Sequence, residues 1–148
     1  MTNPAAIIAE ARTWIGTPYH HQASCKGAGT DCLGLVLGIY RAVVGPLGEP
    51  VPPYSPDWAE ASGRETLAEA ARRHLAEIPA AEARPGDVLL FRWKPDLPAK
   101  HCAILVGGAA DAGGTIVHAY NGVRVCEVPL GQHWAKLIAY AFRFPQDA

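Results

Sequence analysis

The chain has 148 residues, of which 49% are hydrophobic and 18% are charged, and this composition predicts one packed domain over residues 1–148. A chain of this length buries roughly 70% of its unfolded surface, so its stability requires neither disulfides nor a structural metal. The formal net charge of −1 argues against nucleic acid as a partner, because there is no excess of basic side chains to bind phosphates.

The N-terminal segment predicts a helix rather than a leader. Residues 1–16 contain neither a cationic start nor a long apolar core, and no run of about 18 apolar residues occurs anywhere. We therefore expect synthesis in the cytoplasm without a signal peptide, and no membrane insertion. Asn3 and Pro4 favour the start of a helix and Gly16 its end, which predicts a first helix over about residues 4–15.

A cysteine opens the second predicted helix, over about residues 32–44, after a turn-forming loop at 27–30. The N-terminus of a helix carries positive partial charge and free N–H groups, which favour the thiolate over the thiol. Cys32 is therefore a candidate nucleophile. Its backbone N–H is a candidate donor to an oxyanion.

The middle of the chain contains a proline-rich loop and a third predicted helix. Five prolines within residues 45–58 exclude regular structure and indicate a stiff surface loop. Ser62 and Glu65 then have the spacing of a capping box, and Pro79 ends the helix. One apolar face of this helix is predicted: Leu67, Ala71, Leu75 and Ile78.

After residue 85 the pattern changes to short apolar runs, which predict five strands. The runs are residues 88–93, 102–106, 115–120, 123–128 and 137–144. Asn121-Gly122 favours a two-residue hairpin turn, which would pair His118 with Val125. Helices followed by strands predict an α+β fold, with the N-terminal helices packed on an antiparallel sheet of about five strands.

Two histidines are candidate partners for the nucleophile. His101 opens one predicted strand and His118 lies within the next. An imidazole takes the thiol proton and later protonates the leaving amine, while a third polar group fixes its tautomer. Each residue alone also has a structural explanation, since cysteines and strand histidines are often buried core residues. The combination of Cys32, His101 and His118 favours a catalytic role over a structural one.

The other three cysteines are assigned to the structural explanation: Cys25, Cys102 and Cys126. Cys102 follows His101 directly, and successive strand residues point to opposite faces, so the two are not expected to line one cleft. The sequence contains no C-x-x-C or H-x-x-x-H pair that would bring metal ligands together. We expect no metal and no cofactor.

Five motifs in order resemble the NlpC-type cell-wall peptidases, papain-like cysteine peptidases that cut the peptide part of bacterial peptidoglycan. The resemblance covers about residues 5–144. The matching motifs are Gly16-Thr17-Pro18-Tyr19, the nucleophile motif at 31–36, Pro85-Gly86-Asp87, the strand at 101–107, and His118 on the next strand.

The resemblance implies a papain-like fold, with Cys32 as nucleophile, His101 as base and His118 as its orienter. It further implies that Tyr19 and Asp31 help to bind the oxyanion or the substrate. The implied substrate is the stem peptide of peptidoglycan, cut at the bond between D-glutamate and diaminopimelate. The same residues also suit an amidase or acyltransferase acting on another substrate.

Two departures from the family pattern lie next to the predicted cleft. Leu33 replaces the usual serine after the nucleophile, and residues 20–23 replace the usual glycine pair after Tyr19. Sequences that look like this occur in phage and gene-transfer-agent tail clusters. The resemblance thus implies tail hub or tip proteins as partners, and a place in a phage-like particle that acts in the periplasm. An inactive structural tail component is the alternative, although such a role needs none of Cys32, His101 and His118.

Overall fold

The computed structural model describes residues 2–51, 64–120 and 122–146. Helices from the N-terminal half pack against one face of an antiparallel sheet formed by the C-terminal half, which confirms the predicted α+β class. The described residues form four α-helices: α1 (Pro4–Thr13), α2 (Cys32–Val43), α3 (Thr66–His74) and α4 (Gly131–Ala135). The first two agree with their predicted bounds to within two residues.

Two sheets are seen in the described part of the chain. A small antiparallel ribbon consists of β1 (Ser24–Cys25) and β2 (Gly29–Thr30). The main sheet contains β3 (Ala76–Ile78), β4 (Val88–Phe91), β5 (His101–Gly107), β6 (Thr115–His118), β7 (Cys126–Pro129) and β8 (Ile138–Arg143). Its order is β3-β8-β4-β5-β6-β7, with every neighbouring pair antiparallel.

The third helix is shorter than predicted. It ends at His74, and Ala76–Ile78 form the edge strand β3, paired with β8. The unpaired backbone groups at the edge of β8 provide hydrogen bonds for this segment, so pairing with the sheet overrides the helical pattern. The main sheet therefore has one strand more than predicted. The prolines at 52, 53 and 56 and the proposed capping residue Ser62 lie outside the described residues.

The predicted hairpin register is wrong by one residue. His118 lies opposite Cys126 rather than Val125, and β6 ends at His118. Main-chain bonds explain the difference, since Val125 N donates to Thr17 O at 2.9 Å and Val125 O accepts from Gly16 N at 2.8 Å. The backbone of Val125 is therefore paired with the loop after α1 and is not available to His118. Asn121 lies outside the described residues.

The two faces of the sheet bury different side chains. The face toward α1 and α2 packs Ile104 and Phe142 against Ile7 and Leu35. The opposite face packs Leu89, Phe91, Ala103, Leu105, Ile116 and Leu130 into a second cluster beside α4. Side chains therefore alternate between the two faces along β5. No helix in the described ranges is long and apolar enough to cross a membrane.

Candidate active site

Asp31 fixes the start of α2, where Cys32 is the first helical residue. Its carboxylate is buried, with Oδ1 accepting from Gly34 N and Oδ2 from Gln22 N, both at 2.7 Å. Capping of this kind satisfies an N–H group that the helix leaves without a partner. The resemblance implied that Tyr19 and Asp31 bind the oxyanion or the substrate. The observed contacts of Asp31 are with the backbone of α2 and of the loop at 20–23, and they hold these two segments together.

The first turn of α2 lies directly against the ribbon. A Cβ on Gly34 would overlap the carbonyl oxygen of Ala23 and would come within 2.7 Å of Thr30 Oγ1. This close approach brings the start of the helix, and with it Cys32, against the strand that follows Tyr19. Glycine at this position is required by contact rather than by backbone angle.

Gly34→Ala is therefore expected to destabilise the fold by at least about 2 kcal/mol, because overlap with a backbone oxygen outweighs the roughly 1 kcal/mol gain in helix propensity. Chemical denaturation of the two proteins measures the difference. Gly113→Ala is the matched control, since its nearest new contact would be the side-chain oxygen of Asp111 at 3.3 Å. Equal stabilities for Gly34→Ala and the parent chain would contradict the packing described.

His101 and His118 form a buried pair on neighbouring strands. His101 Nε2 lies 2.9 Å from His118 Nδ1, and both side chains are less than 5% exposed. One ring nitrogen of His101 is thereby occupied, which leaves Nδ1 as the nitrogen available to Cys32, whose pKa His101 lowers. The structure brings together the three residues that the sequence singled out, from α2, β5 and β6.

The contacts of Cys32 favour its thiolate. The pKa of Cys32 lies well below its ordinary value, first because of the adjoining Cys102 side chain and further because of His101, although burial opposes the shift. The helix N-terminus acts in the same direction. Cys32 is partly exposed, as a nucleophile needs to be, whereas Cys102 is buried.

Cys102 lies closer to the nucleophile than expected. It does point to the helix-facing side of the sheet, away from the face of its neighbour His101, as strand alternation predicts. Its thiol nevertheless donates to the carbonyl oxygen of Cys32 at 3.2 Å. Both residues reach Cys32 because the start of α2 lies against the beginning of β5.

Burial keeps His118 neutral. Its pKa is lowered from the usual 6.5 to about 3, chiefly by desolvation and secondarily by the nearby His101. A neutral His118 with its proton on Nε2 accepts a hydrogen bond from His101 Nε2–H. That arrangement fixes the tautomer of His101 with a basic Nδ1.

The same shift makes the fold sensitive to acid. Because the folded pKa of His118 is below the unfolded value, the unfolded chain binds the extra proton as pH falls from 6.5 toward 3, so the free energy of unfolding falls in that range. The expected loss from this residue between pH 6.5 and pH 5 is roughly 2 kcal/mol. Urea unfolding across these pH values, compared with His118→Asn, measures it. A variant with the same pH slope as the parent would show that His118 does not carry the effect.

Tyr19 lies beside the nucleophile. Backbone bonds on either side of it join the loop to Thr30, from His20 N to Thr30 O and from Thr30 N to Pro18 O, both at 3.0 Å. The pKa of Tyr19 is raised to about 12 by burial and by the charges of Cys32 and Asp31. Its phenol therefore stays protonated and is available as a hydrogen-bond donor near Cys32.

Four aromatic side chains that the sequence did not single out contact the histidine pair: Phe91, Trp93, Tyr120 and Trp134. Trp93 stacks on His101 with ring centroids 5.7 Å apart, and Tyr120 stacks on His118 at 5.9 Å. Trp134 of α4 lies 5.4 Å from His101 and 5.3 Å from His118. Tyr120 could have been found from its spacing two residues after His118, whereas the contacts of Trp93 and Trp134 depend on the path of the loop after β4 and on the position of α4.

Within residues 2–51, 64–120 and 122–146, no three His, Cys, Asp or Glu side chains are grouped so that they could hold a metal ion. The four cysteines, all within these ranges, are free thiols. A thiolate, a basic imidazole and a neutral phenol at one place can carry out nucleophilic attack on a carbonyl group.

Known proteins resemble this chain in sequence and in fold. The sequence profile of the NlpC/P60 family matches residues 16–143. The NlpC/p60 domain of the peptidoglycan hydrolase SagA is 25% identical, with a TM-score of 0.66 over 97% of this chain and 100% of that domain. No curated protein matches the chain significantly.

Two further solved structures share the fold at lower identity. An NlpC/P60 family protein from Bacillus cereus is 20% identical, with a TM-score of 0.67 over 97% of this chain and 40% of the other. The peptidoglycan hydrolase RipB from Mycobacterium tuberculosis is 21% identical, with a TM-score of 0.57 over 95% of this chain and 63% of the other. This chain thus spans less than two thirds of these two proteins.

Proposed function

Since the chain belongs to the NlpC/P60 family, we propose that it is a cysteine peptidase that hydrolyses the peptide part of bacterial peptidoglycan. The similarity to the SagA domain, which is described as part of a peptidoglycan hydrolase, supports this substrate class. The observation that carries the proposal is the contact of a thiolate-favouring Cys32 with His101, itself hydrogen-bonded to a neutral His118.

The proposed reaction begins when His101 Nδ1 takes the thiol proton of Cys32 and the resulting thiolate attacks the carbonyl carbon of the scissile amide. The oxyanion that forms accepts hydrogen bonds from the Cys32 backbone N–H and the Tyr19 phenol. His101 protonates the leaving amine from Nδ1, and the thioester remains on Cys32. His101 then removes a proton from water, which attacks the thioester and regenerates the enzyme. His118 keeps the imidazole in the required tautomer, and Asp31 keeps α2 in position.

Within peptidoglycan we propose the bond between D-glutamate and diaminopimelate as the point of cleavage. Purified sacculi digested with the protein and analysed by mass spectrometry of the muropeptides provide the test. Products that end at D-glutamate, with a new amine on diaminopimelate, are expected, and Cys32→Ser is the control. Release of intact stem peptides from the glycan would instead identify an amidase with the same residues. Unchanged muropeptides would contradict the whole proposal.

We also propose that the enzyme acts as part of a phage-like tail, docked on hub or tip proteins and working on the wall from the periplasmic side. The likeness of its nucleophile motif and its Tyr19 loop to tail-cluster sequences supports this part. Purified particles from a producing strain should contain the protein by mass spectrometry. Its absence from particles would overturn the tail role and leave the peptidase proposal untouched.

A further inference from the structure

A second thiol lies against the nucleophile and has no part in the proposed reaction. Cys102 is 1% exposed and belongs to the helix-facing side of β5. Its Sγ donates to the carbonyl oxygen of Cys32 at 3.2 Å, so the two residues touch across the junction of α2 and the sheet. Each thiol is also the largest cause of the other's pKa shift, so the two side chains are neighbours as well.

The surroundings favour a different form of each sulfur. Contact with Cys102 and with His101 holds the pKa of Cys32 below its usual range, whereas contact with Cys32 and burial hold that of Cys102 above it. The site thus favours the thiolate at Cys32, which is partly exposed, and the thiol at Cys102, which is buried beside it. Exposed thiolates react with peroxides, and a neighbouring thiol resolves the product as a disulfide.

We propose that Cys32 and Cys102 form a redox pair, which closes a disulfide across the active site when the protein meets a peroxide. The Cys32 thiolate attacks one peroxide oxygen, the O–O bond breaks, and Cys32 becomes a sulfenic acid while hydroxide leaves. The sulfur of Cys102 then attacks the sulfur of Cys32, the S–O bond breaks, and a second hydroxide leaves. Protons taken up, including that of Cys102, convert the hydroxides to water, so two thiols lose two electrons and one peroxide is reduced.

Oxidation of Cys32 to a sulfenic acid makes the later attack by Cys102 easier. Part of what holds the proton on Cys102 is the negative charge of Cys32, and that charge disappears when the sulfenic acid forms. Cys102 then becomes a better attacking group at the moment when its partner becomes electrophilic. The product protects the nucleophile, because a disulfide is restored by thiols whereas a sulfinic acid is not.

Mass spectrometry of the whole protein after hydrogen peroxide treatment provides the first measurement. The expected product is lighter by about 2 Da, retains two of the four thiols, and yields a linked peptide containing Cys32 and Cys102. Cys102→Ala should instead gain about 32 Da at Cys32, the mass of a sulfinic acid. Cys25→Ala and Cys126→Ala are the matched controls and should form the bridge as the parent chain does.

Recovery after reduction provides the second measurement. After peroxide and then dithiothreitol, the parent protein should regain nearly all iodoacetamide labelling at Cys32, and Cys102→Ala less than about a tenth of it. Cys102→Val serves as a second variant if the alanine variant folds poorly. Sulfinic acid in the parent at the rate seen in the variants, or a bridge from Cys32 to Cys126, would overturn the proposal. Neither readout uses hydrolysis, so a failure to digest peptidoglycan leaves this test intact.

Discussion

Cys32→Ser is expected to lower peptidoglycan hydrolysis by a factor on the order of 10³ or more, while the fold is retained. A serine hydroxyl has nearly the same size, but it has no accessible anionic form near neutral pH. The hydrogen bonds and the helix N-terminus that favour a thiolate therefore have nothing to act on. The measurement is the rate of muropeptide release from sacculi at equal protein concentrations.

Two controls make this prediction specific to the site. Denaturant unfolding should give the same stability for the variant and the parent within about 1 kcal/mol, since the substitution is nearly isosteric. In the parent chain, iodoacetamide should modify Cys32 before Cys25, Cys102 and Cys126. Faster labelling of another cysteine, or a serine variant that retains activity, would show that Cys32 is not the nucleophile.

Substitution of the two histidines is expected to lower kcat by different amounts. His101→Ala should reduce kcat by about 10²- to 10⁴-fold, because the proton transfers then have no positioned group. His118→Asn should cost far less, because the asparagine amide oxygen still accepts the hydrogen bond from His101 Nε2–H. Steady-state kinetics on a soluble stem-peptide substrate, over a range of pH, measures both variants.

Added imidazole distinguishes a lost base from a damaged fold. It should restore part of the activity of His101→Ala and none of that of Cys32→Ser. Equal losses in kcat for the two histidine variants, with both folded, would mean that the roles of base and orienter are assigned wrongly.

Local signals in the sequence were sufficient for much of the fold. Asn3 and Pro4 mark the start of α1, and Asp31 caps α2, because such signals act within one helical turn. Non-local pairing accounts for the errors. The backbone of Val125 is taken by Gly16 and Thr17, which no pattern around Asn121-Gly122 reveals. The segment after His74 likewise becomes a strand only because β8 offers an open edge.

In the candidate site too, local features could be predicted from the sequence and non-local contacts could not. The position of Cys32 at a helix start and the order of His101 and His118 could be read from the chain. The contact of Cys102 with Cys32 could not, because it depends on how the start of α2 packs against the beginning of β5. Trp93 was also missed, since its stacking on His101 depends on the path of the loop between β4 and β5.

The spacing of the site residues along the chain has a consequence for folding kinetics. His101 and His118 are 17 residues apart on adjacent antiparallel strands, whereas Cys102 and Cys32, which touch, are 70 residues apart. Contacts between near residues form with a smaller loss of chain entropy than contacts between distant ones, so the histidine pair is expected to assemble early. The nucleophile joins it only when α2 docks on the sheet. A partly folded chain therefore holds the base without its thiolate, and hydrolysis begins with the last long-range contact.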